Sequence, residues 1–333
     1  MEKRSVIIGV HDRIPTFWGP DEREQLRALV DLHPQDMSRE AFLADEALLA
    51  ETRFIFGIWG MPTLDEKTLA RMPALEAVFY AAGSVRGFVT DAFWRRGIHL
   101  TSSYAYNAIA VAEYCTGAIL LSLKNVFRHF RLSVKNQRWH GNRAIPMPGA
   151  YHSKVGLISL GKIGRKTAEL LRAFDLEILF YDIHFREAQA DEIGVQRASL
   201  EEIFSNCEVV SLHTALLPET RGMITGNHLR AMKPYATFIN TSRGAVVRQK
   251  ELVEVMRERP DLTAILDVLD PEPPEDGHPL FALPNVFISP HISGSQGREC
   301  RRMGQHAIDE CRRFLNQEPL QSRITAENFR TMA

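Results

Sequence analysis

Cysteine is scarce in this chain: four in 333 residues, at Cys115, Cys207, Cys300 and Cys311. None forms a C-x-x-C pair and none has a histidine at metal-ligand spacing, so a disulfide framework and a cysteine-based metal site are excluded. The thiols read as ordinary and reduced. A surplus of either charge is also missing. Lys and Arg number 40 against 41 Asp and Glu, a net charge of −1, which leaves no long-range attraction for nucleic acid or anionic lipid. Arg95-Arg96 and Arg312-Arg313 read as solvated helix faces. A long apolar run is lacking too. The opening "MEKRSVIIGV" is too short for a signal peptide. The most apolar window, 108–123, is interrupted by Glu113 and falls short of the roughly 18 residues that cross a bilayer. The expectation is a cytoplasmic protein that binds neither nucleic acid nor membrane.

What is present is an ordinary globular balance, 45% apolar and 24% charged, in a chain longer than a single core usually reaches. Two domains are expected. Short β-rich runs alternate with helical patterns: strands at 5–10, 53–59, 75–81, 98–103, 154–160, 177–182, 208–213, 236–242, 263–268 and 285–290, helices at 163–174, 199–206, 249–258 and 296–315. The later strands are nearly continuous apolar runs, as in parallel sheets covered on both faces. The spacing predicts an α/β chain of doubly wound parallel sheets. Between strands, "AIAVAEYCTGAILLSLKNVFRHF" reads as one long helix, followed by a polar, irregular 129–153 stretch, which in a compact fold is usually functional or interfacial. The expected division is a first domain of 1–103 plus 296–333, with a second, 104–295, inserted into it.

The stretch "KVGLISLGKIGRKTAELL", 154–171, reads as a strand entering a helix through a glycine turn. From Gly156 to Lys162 it matches the start of a Walker A loop, G-x-x-x-x-G-K. Ile163 then stands where the magnesium-holding Ser or Thr belongs, so that reading fails. The dinucleotide fingerprint G-x-G-x-x-G fits better, with Gly161 and Gly164 as the second and third glycines and Ser159 in place of the first. A serine fits freely at negative φ and costs roughly 1 kcal/mol at positive φ. The helix start at Lys162 and Ile163 offers free N–H groups and a positive dipole end to a pyrophosphate. Asp182 follows about 20 residues on, where an acidic residue binds the adenosine ribose and disfavours a 2′-phosphate. NAD is therefore expected over NADP, with His184 and Arg186 close behind softening that preference.

Three ionisable residues follow later strands: Arg243 in "FINTSRGAVV", Glu272 in "ILDVLDPEPP" and His291 in "VFISPHISG". Ligands of open α/β sheets bind beyond the carboxyl ends of strands, so these three can meet in one crevice.

At this point the chain resembles the D-isomer-specific 2-hydroxyacid dehydrogenases. That family includes formate, D-lactate, D-glycerate and D-3-phosphoglycerate dehydrogenases and glyoxylate/hydroxypyruvate reductases. The resemblance runs through "FYAAGSV" (79–85), "NAIAVAEY" (107–114), the glycine turn, "LHTALLPETRGMI" (212–224) and the three stretches just quoted, most of residues 75–300. It implies a Rossmann-like cofactor domain inserted into a flavodoxin-like substrate domain, and hydride transfer between NAD(H) and a small 2-oxo or D-2-hydroxy acid. By the same resemblance His291 is the acid/base. Glu272 fixes its tautomer and favours its protonated form, and Arg243 binds the substrate carboxylate and polarises the keto oxygen. Backbone N–H groups of Gly83, Ser84 and Val85 cradle the carboxylate. Asp267 meets the nicotinamide carboxamide, and Thr214, Thr241, Ser242 and Gly294 line the cofactor. A homodimer is implied, built on the helix after Asn107 and an arm near 108–153, Trp139 to Tyr151 included.

The chain departs from the family pattern at Ser159 and at Ala215, where a proline is frequent. The first 75 residues match only in general pattern, so the substrate stays open; Trp59 and Tyr80 read as core aromatics, with pocket lining as the alternative. Transcriptional corepressors built on this fold keep the same Arg-Glu-His set, so an NADH-sensing binding protein is the rival class, and a formate- or phosphite-type dehydrogenase a third reading.

Overall fold

The structure, a computed structural model, describes residues 4–137, 139, 145–184 and 194–330. The chain divides into two compact units, Met1–Asn107 with Ser295–Ala333, and Ala108–Gly294. In the first unit β1 (Arg4–Ile8), β2 (Thr52–Gly57), β3 (Ala77–Tyr80) and β4 (His99–Ser102) lie side by side in that order, all parallel. Ser5 and Ile8 bridge outward to Leu32 and Met37, which gives the flavodoxin-like order 2-1-3-4-5. Side chains alternate between two cores. Val6, Ile8, Ile55, Val78 and Tyr80 join one, while Ile7, Phe54, Phe56 and Phe79 join the other with Met303, Ala307 and Ile308 of helix Glu299–Leu315. This is the period of two expected of strands covered on both faces.

In the second unit β5 (Ser153–Ile158), β6 (Leu176–Tyr181), β7 (Gln196–Arg197), β8 (Val209–Leu212), β9 (Thr237–Asn240), β10 (Thr263–Leu266) and β11 (Val286–Ile288) form one parallel sheet. Their spatial order is β7-β6-β5-β8-β9-β10-β11, the Rossmann arrangement extended by one strand, with its switch point between β5 and β8. Val155, Leu157, Val209, Ile239 and Ile265 fill the core on one face. Ile158, Val210, Leu212, Phe238, Ala264 and Leu266 fill the other. The chain then returns to the first unit, where β12 (Arg323–Ile324) pairs antiparallel with β4.

The single long helix expected from 108 is two helices, Tyr104–Ser122 and Val126–Asn136, bent by 62°. Asn125 breaks the helix in the left-handed region at φ +48. Its side-chain amide donates to the Pro146 carbonyl, and Gly149 N–H caps the Leu123 carbonyl at 2.9 Å. A long-range contact thus decides a break that local apolar periodicity cannot show. The stretch expected to be irregular from 129 is helical as far as Asn136, and residues 138 and 140–144 of the expected dimer arm lie outside the described residues. Among the described residues no single helix is long and apolar enough to cross a membrane.

Candidate active site

β5 ends at Ile158 and the chain reverses through Ser159, whose φ is +79. A non-glycine residue there costs about 1–2 kcal/mol, less when a short polar side chain bonds locally. Ser159 does so: its Oγ donates to Asp182 Oδ2 at 3.0 Å, and its N–H donates to the Tyr181 carbonyl at 2.6 Å. A Cβ on Gly164 would lie 2.0 Å from the Ser159 carbonyl oxygen, so helix Lys162–Leu171 can pack this closely only with glycine there. Gly161 differs. A Cβ on it would meet nothing nearer than Ser159 Oγ at 4.0 Å; the protein itself leaves the space open, which suits a ligand that approaches the backbone. The helix begins without a side-chain cap and without an acidic residue in its first turn, so its N–H groups and positive end are available to an anion.

Asp182 follows the neighbouring strand, β6. Its Oδ2 also accepts the Leu160 N–H at 2.7 Å, and its Oδ1 accepts the His184 N–H at 2.8 Å. The His184 ring faces Glu219 at 3.6 Å. Arg186, the other expected modulator, lies outside the described residues.

Arg243 follows β9, Glu272 lies beyond β10 and His291 follows β11. Asn240 holds the first of these turns, accepting the Ser242 N–H at 3.0 Å and donating to the Arg243 carbonyl at 3.1 Å. A Cβ on Gly244 would fall 2.1 Å from the Leu269 carbonyl carbon and 2.5 Å from Asp270 N. Only glycine therefore lets this turn close on the loop that leads to Glu272. The half-buried Arg243 guanidinium donates to the Ser242 carbonyl at 2.7 Å. Burial lowers its pKa, and the nearby Glu272 carboxylate works in the opposite direction. Glu272 Oε1 in turn hydrogen-bonds His291 Nδ1.

His291 itself sits at φ +54, a sparsely populated backbone state of the kind held in place at functional sites. Asp267 holds it. The Asp267 carbonyl accepts the His291 N–H at 2.9 Å. The Asp267 carboxylate, 1% exposed, accepts from Ser289 Oγ at 2.5 Å, Ile292 N at 2.9 Å and Ser293 N at 2.8 Å. These hydrogen bonds organise the histidine loop.

The remaining expected cofactor residues lie in the second unit. Thr214 Oγ1 donates to the Ile158 carbonyl at 3.3 Å, Ser242 Oγ to the Thr214 carbonyl, and Thr241 Oγ1 lies 3.2 Å from Cys115 Sγ. Lys162 is exposed, and Ile163 and Gly294 are half-buried. In the first unit, Gly83, Ser84 and Val85 form the turn after β3. It is pinned by Ser102 Oγ, which donates to the Gly83 carbonyl at 2.6 Å. Tyr80 is a core residue.

Two residues of the second unit escape the sequence reading. Gln249 accepts the Asp270 N–H at 2.8 Å and donates back to the Asp270 carbonyl, clamping the loop two residues before Glu272. His213, beside the glycine turn, is buried with neither ring nitrogen partnered among the described residues. Burial pushes its pKa down to about 4. The histidine in "SLHTALLP" is visible in the sequence, but nothing there signals its lack of partners.

An open glycine cradle at a bare helix N-terminus, with a carboxylate at the end of the next strand, fits a dinucleotide. Beyond the same sheet's other strands stand a paired histidine and an arginine, so fold and site define a dinucleotide-dependent oxidoreductase. The chain belongs to the D-isomer specific 2-hydroxyacid dehydrogenase family, whose NAD binding domain it matches over residues 117–293. It is 30% identical over 271 residues to a glyoxylate reductase of Aeropyrum pernix, covering 79% of this chain and 81% of that protein. A D-3-phosphoglycerate dehydrogenase of Mycobacterium leprae is 26% identical over 314 residues, 94% of this chain and 55% of its own length. Among solved structures, the D-lactate dehydrogenase from Aquifex aeolicus, complexed with NAD and lactic acid, superposes with a TM-score of 0.73 at 25% identity, covering 94% of this chain and 96% of that one.

Proposed function

We propose that this chain is an NAD(H)-dependent reductase of a small 2-oxo acid, glyoxylate, hydroxypyruvate or a similar acid, forming the D-2-hydroxy acid. The observation that carries the reading is the His291–Glu272 hydrogen bond beside Arg243, all three beyond the carboxyl ends of parallel strands. Gly161, Lys162, Ile163 and Gly164 would hold the pyrophosphate and Asp182 the adenosine ribose. Thr214, Thr241, Ser242 and Gly294 would line the remainder, with Asp267 at the carboxamide. When bound, the nicotinamide supplies a hydride to the carbonyl carbon.

This chain's residues do the rest. Arg243, a planar cation, pairs with the substrate carboxylate and polarises the keto oxygen. Backbone N–H groups of Gly83, Ser84 and Val85 are the further substrate-binding groups of this reading. With Nδ1 engaged by Glu272, His291 gives its Nε2 proton to the oxygen as the carbon–oxygen double bond becomes single; oxidation reverses each transfer.

The decisive experiment is NADH and NADPH oxidation across a panel of 2-oxo acids. Turnover with glyoxylate or hydroxypyruvate supports the reading. NADH binding without turnover on any acid favours the corepressor-like alternative, and NAD reduction by formate or phosphite alone favours the third.

The protein is also read as a homodimer. Helix Val126–Asn136 buries none of its residues, and its Phe130 and Val134 are 67% and 61% exposed, an apolar face that a second copy would cover. Light scattering at micromolar concentration checks this, and a monomer refutes it.

A further inference from the structure

We propose that Ser159 is a selectivity residue of the cofactor site: its hydroxyl, set on the Asp182 carboxylate, narrows the preference for NADH over NADPH that a glycine turn would give. The proposal rests on the dinucleotide reading of this turn. A carboxylate has about four acceptor positions, and three of those on Asp182 are already taken within the chain. Leu160 N–H and Ser159 Oγ share Oδ2 at 2.7 and 3.0 Å, and His184 N–H holds Oδ1 at 2.8 Å. An adenosine ribose with two free hydroxyls asks for two positions. The two backbone donors are fixed by the fold. The Ser159 hydroxyl turns about one bond, so it is the donor that can yield.

The two cofactors therefore meet different sites. To accept both ribose hydroxyls of NADH, Asp182 must release the serine. Beside the 2′-phosphate of NADPH the serine stays on the carboxylate and offsets part of its negative charge, or turns and donates to the phosphate; either lowers the repulsion. A glycine does neither. The backbone favours the arrangement, because φ +79 at Ser159 directs its side chain to the end of β6 rather than into the core. Of the residues expected to soften the preference from beyond Asp182, His184 has its ring towards Glu219 at 3.6 Å.

The test is the dissociation constant of the full-length protein for NADH and for NADPH, by fluorescence titration and calorimetry, in the wild type and in Ser159→Gly and Ser159→Ala. Glycine relieves the backbone and removes the hydroxyl, whereas alanine removes only the hydroxyl. The expected result is that the NADPH-to-NADH ratio of dissociation constants rises by about tenfold in both variants, the weight of one hydrogen bond to a charged group. NADH affinity itself should change by less than about tenfold in Ser159→Gly. A ratio that stays at the wild-type value in either variant overturns the assignment; if only alanine leaves it unchanged, backbone strain is the cause. A wild-type protein that binds neither cofactor sinks the dinucleotide reading itself. Wild-type NADH binding with an unmoved ratio sinks the Ser159 assignment alone.

Discussion

Glu272 Oε1 accepts a hydrogen bond from His291 Nδ1, which leaves the opposite ring nitrogen, Nε2, to exchange a proton. The pair spans two strand ends and is held from behind on both sides. Gln249 clamps the backbone at Asp270, and Asp267 clamps the histidine loop through its carboxylate and its carbonyl. Such support would hold the proposed proton-transfer group in place for its target.

Replacing His291 with alanine should therefore lower kcat by about 10²–10⁴-fold, the usual contribution of a positioned acid/base. Glu272→Gln keeps a hydrogen-bonding side chain but not the charge, so its loss should be smaller. Steady-state kinetics with NADH and the best 2-oxo acid measure both. Activity of His291→Ala within a few-fold of wild type would remove the histidine from the mechanism.

Arg243→Lys tests the planar fork. Lysine keeps the charge as a point but loses bidentate contact with a carboxylate. Burial already presses on a cation at this position, and an ammonium loses its proton more readily than a guanidinium. A fall in kcat/KM of about 10²-fold is expected, one to two good hydrogen bonds to charged groups. NADH affinity, measured by titration, should stay within a few-fold. An equal loss of NADH binding would place Arg243 on the cofactor instead.

Much of this arrangement is legible in the sequence, because apolar runs mark strands and the residues after them mark the ligand side of a parallel sheet. All ten expected strands are present, and Arg243, Glu272 and His291 follow β9, β10 and β11 as read. What escaped depends on contacts far along the chain. β7 and β12 are two residues each, with no apolar period to betray them. Asn125 breaks a helix through Pro146, and Ser159 takes a positive φ that its bond to Asp182 makes tolerable. Neither partner lies within a local window.

Gly244 is where packing and chemistry meet. An added Cβ must displace backbone at Leu269 and Asp270, since the nearest atoms lie 2.1–2.5 Å away, and backbone cannot turn aside as a side chain does. Gly244→Ala should destabilise the protein by about 1–3 kcal/mol and shift Arg243 relative to Glu272. Thermal unfolding and kcat/KM should both decline, with NADH binding less affected. Unchanged stability would mean that the loop before Glu272 yields freely.

His213 makes stability depend on pH. Its folded pKa lies near 4 because burial disfavours the charged ring, against an ordinary value of 6.5. The neutral ring is favoured in the folded state, so this contribution is fully present above pH 6.5 and is lost as pH falls towards 4. Linkage over that window amounts to about 3 kcal/mol. His306, buried in the first unit, is shifted the same way by burial, so some acid sensitivity will persist without His213. His213→Asn should flatten the decline of unfolding free energy between pH 6.5 and 4.5, read by denaturant titration at each pH, even if the variant is less stable at neutral pH. A slope identical to wild type would show that His213 takes up its proton without cost, and that the buried ring has a partner in solution.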